Sequence, residues 1–356
     1  MALLRCDTCG SPLDVAYNHQ IVGPQLPCWA GPRIPHPVHD ANSVVSLGEG
    51  NTPCVELQST GEFLGLCGLY GKLEFLNPTG SFKDRGTAIM ISVAREQGVA
   101  EIVEDSSGNA GASVAAYAAR TGIRAHIFVP ASAPAAKIQQ IKVYGAQTHS
   151  VEGPREATTD AAVAFSNEHG LVYASHNLSP YFIEGTKTFP YEVASQWADD
   201  LPEHLVIPVG NGSLFIGAWK GFQELLDGGQ ISKMPRIHCV QAMAISPIVA
   251  AYRGGEWSPK AGARTVAGGI ASASPPRKPQ MLAVLGATDG VAVAVEEEEI
   301  LEWQLQLARR EGIYAEPTSA AAFAGLARLV EMGTIRSSET VLVPITGSGL
   351  KDAPPI

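Results

Sequence analysis

The chain has 356 residues, of which 45% are hydrophobic and 17% charged, and a formal net charge of −10. This composition is too apolar for a disordered chain and reads as a soluble globular enzyme with two domains as the natural prior. The acidic balance, with no basic cluster interleaved with aromatics, argues against DNA or RNA as a partner.

The N-terminus, "MALLRCDTCG", has too short an apolar run for a signal peptide or a membrane span, so the cytoplasm is the expected location. Six cysteines are too sparse for a disulfide scaffold and are expected as reduced thiols. Cys6 and Cys9 form a C-x-x-C-G knuckle of the kind that grips zinc, with Cys28, His36 and His39 downstream. A second C-x-x-C is missing and the later spacing is irregular, so the expectation is a bare turn and no metal. Residues 20–40, "QIVGPQLPCWAGPRIPHPVHD", are rich in Pro and Gly and read as an extended arm, with the core beginning near Val44.

From there, short β-branched runs alternate with helical patterns. The strands are expected at 101–105, 125–130, 171–175, 204–210, 237–242 and 340–346. Between them "GASVAAYAARTG", "AAKIQQIKVYG", "DAAVAFSNEHG", "SLFIGAWKGFQELLDGG" and "EEILEWQLQLARREG" carry apolar residues at helical spacing, each closed by a glycine. The alternation predicts α/β architecture with a parallel sheet covered on both faces. "EEEE" at 296–299 is read as an acidic helix start, not a metal site.

In such sheets ligands bind beyond the C-terminal strand ends. Three of those ends carry small, polar segments. "EDSSGNAGAS" (104–113) follows a strand and opens an Ala-rich helix, so converging N–H groups and the donors of Ser106, Ser107 and Asn109 suit a carboxylate or phosphate; an ordinary capped helix start is the equal alternative. "VIPVGNGSLFIG" (206–217) offers main-chain donors at Gly210, Asn211, Gly212 and Ser213, without the P-loop or dinucleotide fingerprint. "VPITGSGLKD" (343–352) places Thr346 at a third end, where its hydroxyl could meet a ring nitrogen or a phosphate; a tight terminal turn is the alternative. With Lys83 standing among the turn residues of "NPTGSFKDRG" (77–86), the set suggests pyridoxal 5'-phosphate: a lysine for the aldehyde, a donor nest for the phosphate, and a partner for the ring nitrogen.

The ordered motifs "LGEGNTP", "NPTGSFKDRG", "SSGNAG", "PVGNGSLFIGAWKG", "EPTSAAAFAGL" and "TGSGLKD" resemble the threonine synthases, within the fold-type II pyridoxal phosphate enzymes, from about Leu47 to Asp352. The resemblance implies a tryptophan synthase β-like fold of two open twisted sheets covered by helices, with the cofactor in the interdomain cleft. Domains are expected as an arm with its knuckle (1–43), a large cofactor-binding domain (44–80 and 185–356) and a smaller substrate-closing domain (81–184). It implies that Lys83 forms the Schiff base and removes the Cα proton, that Asn109 meets the ring hydroxyl oxygen, and that the amides of Gly210, Asn211, Gly212, Ser213 and Leu214 hold the phosphate. Ser106, Ser107 and neighbouring amides, Ala110 among them, would bind the substrate carboxylate, and Thr346 would face the pyridine nitrogen. Homodimers are common among such enzymes.

Three departures bear on the substrate. Where threonine synthases usually read N-P-x-R-L-E-G, with the arginine clamping the phosphate of O-phosphohomoserine, this chain has Phe182 at the arginine position. Ser107 replaces a threonine, which keeps the hydroxyl. "TVAGGIASASPPRKP" (265–279) looks closer to amino-acid dehydratases and other β-lyases. Lys187, Arg277 and Lys278 are candidates to replace the missing cation, and His176 is a further candidate to reach substrate. The expectation is therefore a lyase that deprotonates Cα and eliminates a β-substituent from an amino acid, with Phe182 lining an apolar side-chain pocket. The alternatives are threonine synthase itself, a β-replacement transferase and, in last place, a non-catalytic cofactor-binding protein.

Overall fold

The computed structural model describes residues 4–352 and 354, except 18–22, 28–30, 32, 132, 134, 154, 198–199 and 260–261. In chain order its strands are β1 (Cys54–Glu56), β2 (Gly68–Lys72), β3 (Glu101–Glu104), β4 (Arg124–Pro130), β5 (Gln147–Val151), β6 (Val172–Tyr173), β7 (His204–Pro208), β8 (Arg236–Ala242), β9 (Ala292–Val295) and β10 (Thr340–Pro344). They form a four-stranded sheet of order β5-β4-β3-β6 and a six-stranded sheet of order β1-β2-β10-β7-β8-β9. All neighbours are parallel except β1 and β2. The α/β class and paired sheets are as the sequence leads one to expect.

Residues 1–51 with 77–188 make one compact unit, and 52–76 with 189–356 make a second. Residues 44–51 go with the first because Val45 belongs to its apolar core and its N–H donates to Ser92 Oγ, 2.8 Å, on the helix Lys83–Glu96. That core is built from Met90, Ile91 and Ala94 of this helix, Val114 and Tyr117 of Asn109–Thr121, and Ile102, Ile127 and Val129 of the sheet. In the second unit every residue of β7 is buried, as the continuous run "HLVIP" requires of a central parallel strand. Gly122 and Gly312 end their helices in the left-handed conformation, at φ 76° and 69°. Glu296 and Glu299 form a capping box at the start of Glu297–Glu311, which accounts for the acidic run.

Sequence periodicity does not reveal β1, β2, β5 or β9. β2 reads "GLYGK", whose glycines pass for a turn, yet Gly71 packs closely, with Leu57 and Ile345 methyl groups 3.2 and 3.0 Å from where a β-carbon would stand. β5, "QTHSV", is a half-exposed edge with no apolar run. Among the described residues no helix is long and apolar enough to cross a membrane.

Candidate active site

In the first unit, Lys83, expected in the turn before a helix, is the first residue of the helix itself. The preceding turn is held by Asp84, whose carboxylate accepts from Thr79 N, Thr79 Oγ1 and Ser113 Oγ at 2.7, 2.7 and 2.6 Å, all buried. Gly80, at φ 84°, completes the turn, and Gly50 N donates to Asn77 Oδ1 at 2.9 Å. Lys83 Nζ lies 4.4 Å from the centroid of the Phe82 ring and 5.8 Å from that of Phe182.

Ser106 to Ala110 form a tight loop at the start of Asn109–Thr121. Ser106 Oγ accepts from Gly108 N at 3.3 Å, and a β-carbon on Gly111 would fall 1.8 Å from the Ser106 carbonyl, so the fold closes only over glycine. The loop thus sets small residues and hydroxyls at a positive helix end, the arrangement that suits an anion.

His176 is buried, with Nδ1 2.6 Å from Glu104 Oε1 and its N–H on Glu104 Oε2 at 3.2 Å. Glu104, Asp105 and His176 bring ligand-type atoms within 4.8 Å of one another. The Asp105 oxygens accept from Tyr173 and Thr159 hydroxyls at 2.8 and 2.5 Å, so each member of the trio is engaged by a protein hydrogen bond. Burial and the charges of Asp105 and Glu104 push the Tyr173 phenol far up, keeping it a donor.

Phe182 is 0% exposed. It sits on the short helix Pro180–Thr186, with its ring against Gly86 and edge-on to His176 at 5.9 Å. A β-carbon on Gly86 would meet that ring at 2.5 Å, and one on Gly185 would meet the Arg85 carbonyl at 2.0 Å, so the two helices touch through their glycines. Lys187, one of the candidate replacement cations, is buried with Nζ 2.7 Å from Glu184 Oε2 and 4.3 Å from the Tyr17 ring centroid.

In the second unit, β7 runs into the loop 209–212 and the helix Ser213–Asp227. Gly212 adopts φ 83°, and a β-carbon there would lie 2.3 Å from Met281 Sδ; one on Gly210 would lie 2.9 Å from Ile270 Cα. Asn211 Oδ1 accepts from Ser272 Oγ at 2.7 Å, tying the loop to the departing segment 265–279. Thr346 is buried, with Oγ1 2.9 Å from Ser319 Oγ and 3.4 Å from Glu316 Oε1. Arg277 donates to Gln280 Oε1 at 2.9 Å, and Lys278 lines a cavity of about 260 Å³ with Glu256, Trp257 and Ser274.

Residues 45–347 match the family described as pyridoxal-phosphate dependent enzyme. The chain belongs to that family. Pyridoxal 5'-phosphate is accordingly its cofactor, and it is an enzyme of lyase type. It is similar to threonine synthases: 38% identical to that of Methanocaldococcus jannaschii over 319 residues, covering 89% of this chain and 78% of the relative, and 38% identical to that of Bacillus sp. (strain ULM1), covering 89% and 87%. In fold it is similar to a fungal L-serine ammonia-lyase from Rhizomucor miehei, with TM-score 0.74, 21% identity and coverage of 84% and 94%.

The residues fit the cofactor. A pyridoxal-phosphate dependent enzyme needs main-chain donors that approach a phosphate without interference. The loop 210–212 has the shape for this, with close packing behind it at Gly210 and Gly212 where β-carbons would clash. Asp84, Glu104, Ser272, Glu316 and Ser319 support the expected site residues. Sequence reasoning missed all five as supporting residues, because each reaches its contact only through folding, although every one lies inside a quoted segment.

Of the further ligands considered for the cysteine knuckle, His36 is buried with Nε2 2.7 Å from Pro24 O, and its Nδ1 accepts from Val38 N at 3.3 Å, so both ring nitrogens are engaged. Cys28 lies outside the described residues.

Proposed function

We propose that this pyridoxal-phosphate enzyme removes the α-proton of an amino acid that carries no phosphate and eliminates its β-substituent, a hydroxyl being the simplest case. The observation that carries the reading is Phe182. Where the threonine synthase motif has a phosphate-clamping arginine, this chain has a wholly buried ring packed on Gly86, and the adjacent Lys187 is engaged with Glu184. Loss of one charge-assisted hydrogen bond to a doubly charged group costs about 1.5–3 kcal/mol, or roughly tenfold to a hundredfold in selectivity.

Bound pyridoxal phosphate supplies an electron sink for the developing negative charge at Cα. The chain's own residues do the rest. Ser106, Ser107 and the Ala110 amide hold the substrate carboxylate, and Lys83 Nζ takes the α-proton. Asn109, the amides of Gly210 to Leu214 and Thr346 are the residues that would hold the cofactor. Thr346 would offer the cofactor's ring nitrogen a neutral hydroxyl in place of a carboxylate, which would moderate the sink and favour prompt loss of a leaving group over transamination. Phe182 keeps the surroundings of Lys83 apolar. For a β-hydroxy amino acid the hydroxyl departs as water, and water returns as the unsaturated product falls to a 2-oxo acid and ammonia.

Threonine synthase is the second reading, favoured by relatives of that name at 38% identity over 89% of the chain. One purified preparation decides between them. Release of 2-oxo acid from a panel of β-hydroxy amino acids, with no phosphate from O-phosphohomoserine, is expected. Phosphate release accompanied by threonine, with no oxo acid from the panel, would overturn the first reading in favour of the second. If neither occurs, added sulfur or nitrogen nucleophiles test for β-replacement.

A further inference from the structure

Elimination of a β-hydroxyl has two ends: a base takes the α-proton, and an acid must meet the departing oxygen. Lys83 serves the first. Hydroxide is a poor leaving group, because its conjugate acid, water, has a pKa of about 15.7. The Cβ–O bond therefore breaks readily only as the oxygen is protonated.

The first unit places an imidazole for this. β6 pairs with β3, Val103 opposite Tyr173, and Ala174 N donates to Val103 O at 2.8 Å, so the chain leaves the sheet alongside the end of β3. His176 thus emerges at the C-terminal strand ends, where parallel sheets bind ligands, against Glu104, the last residue of β3. Two residues beyond Glu104 begins the loop Ser106–Ala110. The His176 ring and Lys83 Nζ both lean on Phe182, at 5.9 and 5.8 Å from the centroid of its ring.

Its contacts set the protonation pattern. A carboxylate only accepts, so the 2.6 Å contact with Glu104 Oε1 puts a proton on His176 Nδ1. Glu104 Oε2 accepts from the backbone N–H of the same residue at 3.2 Å, which holds the ring by its root as well as its edge. With Nδ1 committed, the ring exchanges protons through Nε2. Glu104 has no exposed surface, and a carboxylate so placed fixes the tautomer and stabilises positive charge on the ring, as in the carboxylate–imidazole pairs of acyl-transfer enzymes. Apolar side chains of similar volume would stabilise the core as well, so fold stability does not account for the pair.

We propose that His176, oriented by Glu104, is the proton donor to the departing β-hydroxyl, an assignment that rests on the elimination reading. The Nε2–H bond breaks and an O–H bond forms as the Cβ–O bond parts, and the electron pair of that bond leaves with the oxygen as water. The pair released at Cα forms the Cα–Cβ double bond. Imidazolium becomes neutral imidazole while Glu104 stays ionised. Solvent returns the proton to Nε2 and takes the one held by Lys83 between turnovers.

The test compares two leaving groups on the full-length holoenzyme: the β-hydroxy substrate turned over fastest and its β-chloro counterpart, since chloride departs without a proton. His176→Asn keeps an amide donor to Glu104 and removes Nε2. Its kcat should fall about a hundredfold or more for the hydroxy substrate and about threefold at most for the chloro one. His176→Gln, whose amide supplies no acidic proton, should show the same bias, and Glu104→Gln a weaker one. L-Alanine, which has no leaving group, should perturb the visible cofactor absorbance of His176→Asn at the concentrations that serve for wild type, a binding readout independent of turnover. Equal loss with both substrates in both histidine variants, no loss with either substrate, or alanine binding weakened about tenfold would overturn the assignment and leave elimination standing. Wild-type enzyme that releases oxo acid from no β-hydroxy substrate would overturn the elimination reading and this assignment with it.

Discussion

Replacing Gly86 by alanine probes the packing that gives position 182 its meaning. A β-carbon there would stand 2.5 Å from two Phe182 ring carbons and 2.6 Å from a third, about 1 Å inside ordinary carbon contact. Gly86 lies within the helix Lys83–Glu96, so on intrinsic preference alone alanine would stabilise by about 1 kcal/mol. The clash opposes this by about 1–3 kcal/mol, since a ring with no exposed surface has no space to rotate into. The net expectation is destabilisation by about 1 kcal/mol. Trimming the ring in Gly86→Ala/Phe182→Leu removes the conflict and restores the helix gain, so the two substitutions should couple by about 1–3 kcal/mol. Urea unfolding of the four proteins in the cycle, with hydrogen exchange at amides 83–96 to isolate the first unit, reads the effect. Additivity within about 0.3 kcal/mol, with Gly86→Ala alone stabilising, would show that the ring does not rest on Gly86 and would remove the packing basis for the function proposed here.

Asp84→Asn should lower kcat by about tenfold to a hundredfold, because a carboxylate accepting from three buried donors becomes an amide that must point an NH₂ toward one of them, at a cost of about 1.5–3 kcal/mol. The visible absorbance of lysine-bound cofactor should survive, and its loss would place Asp84 in cofactor retention instead. Gly212→Ala adds a β-carbon at φ 83° against Met281, so pyridoxal phosphate affinity should fall about tenfold or more in equilibrium dialysis. Unchanged affinity would refute the cradle. Burial, with His204 and Arg236 nearby, lowers the His238 imidazole from 6.5 to about 3, and Val291 N–H donates to its Nδ1 at 3.1 Å. The unfolded chain therefore binds the extra proton between those values, so this contribution to stability is complete above pH 6.5 and falls as pH drops toward 3. The stability advantage of wild type over His238→Gln should shrink on acidification through that window, and an advantage independent of pH would contradict it.

What could be read from sequence was whatever local pattern controls. β7 and the loop after it were legible because a continuous apolar run ends abruptly at the turn residues G-N-G-S. The acidic helix start at 296–299 was legible from its run of glutamates, whereas the reciprocal hydrogen bonds of its capping box were not. Position 182 stood out as a departure from a motif, but its consequence depends on Gly86, nearly a hundred residues earlier, and on a helix contact that no periodicity encodes. His176 was legible as a candidate beside that segment. Its binding to Glu104 was not, because β3 and the 176 loop meet only in the folded unit. Strands β2 and β5 were missed since the two glycines of one and the polar edge position of the other suppress the alternation that marks a strand.

The order of strands in the larger sheet has a kinetic consequence. Gly68 to Lys72 pair with Thr340 to Pro344, so β2 waits for almost the last segment of the chain before its inner edge is filled. The strands of the first unit, β3 to β6, are all present by Tyr173 and can pair while the remaining half is still emerging from the ribosome. Until β10 arrives, β2 and β7 expose unsatisfied edges, a hazard for aggregation during synthesis. Truncations that end before residue 340 should therefore yield a soluble first unit tethered to an incomplete, sticky second one, and attempts to shorten this enzyme from its C-terminus will meet that limit first.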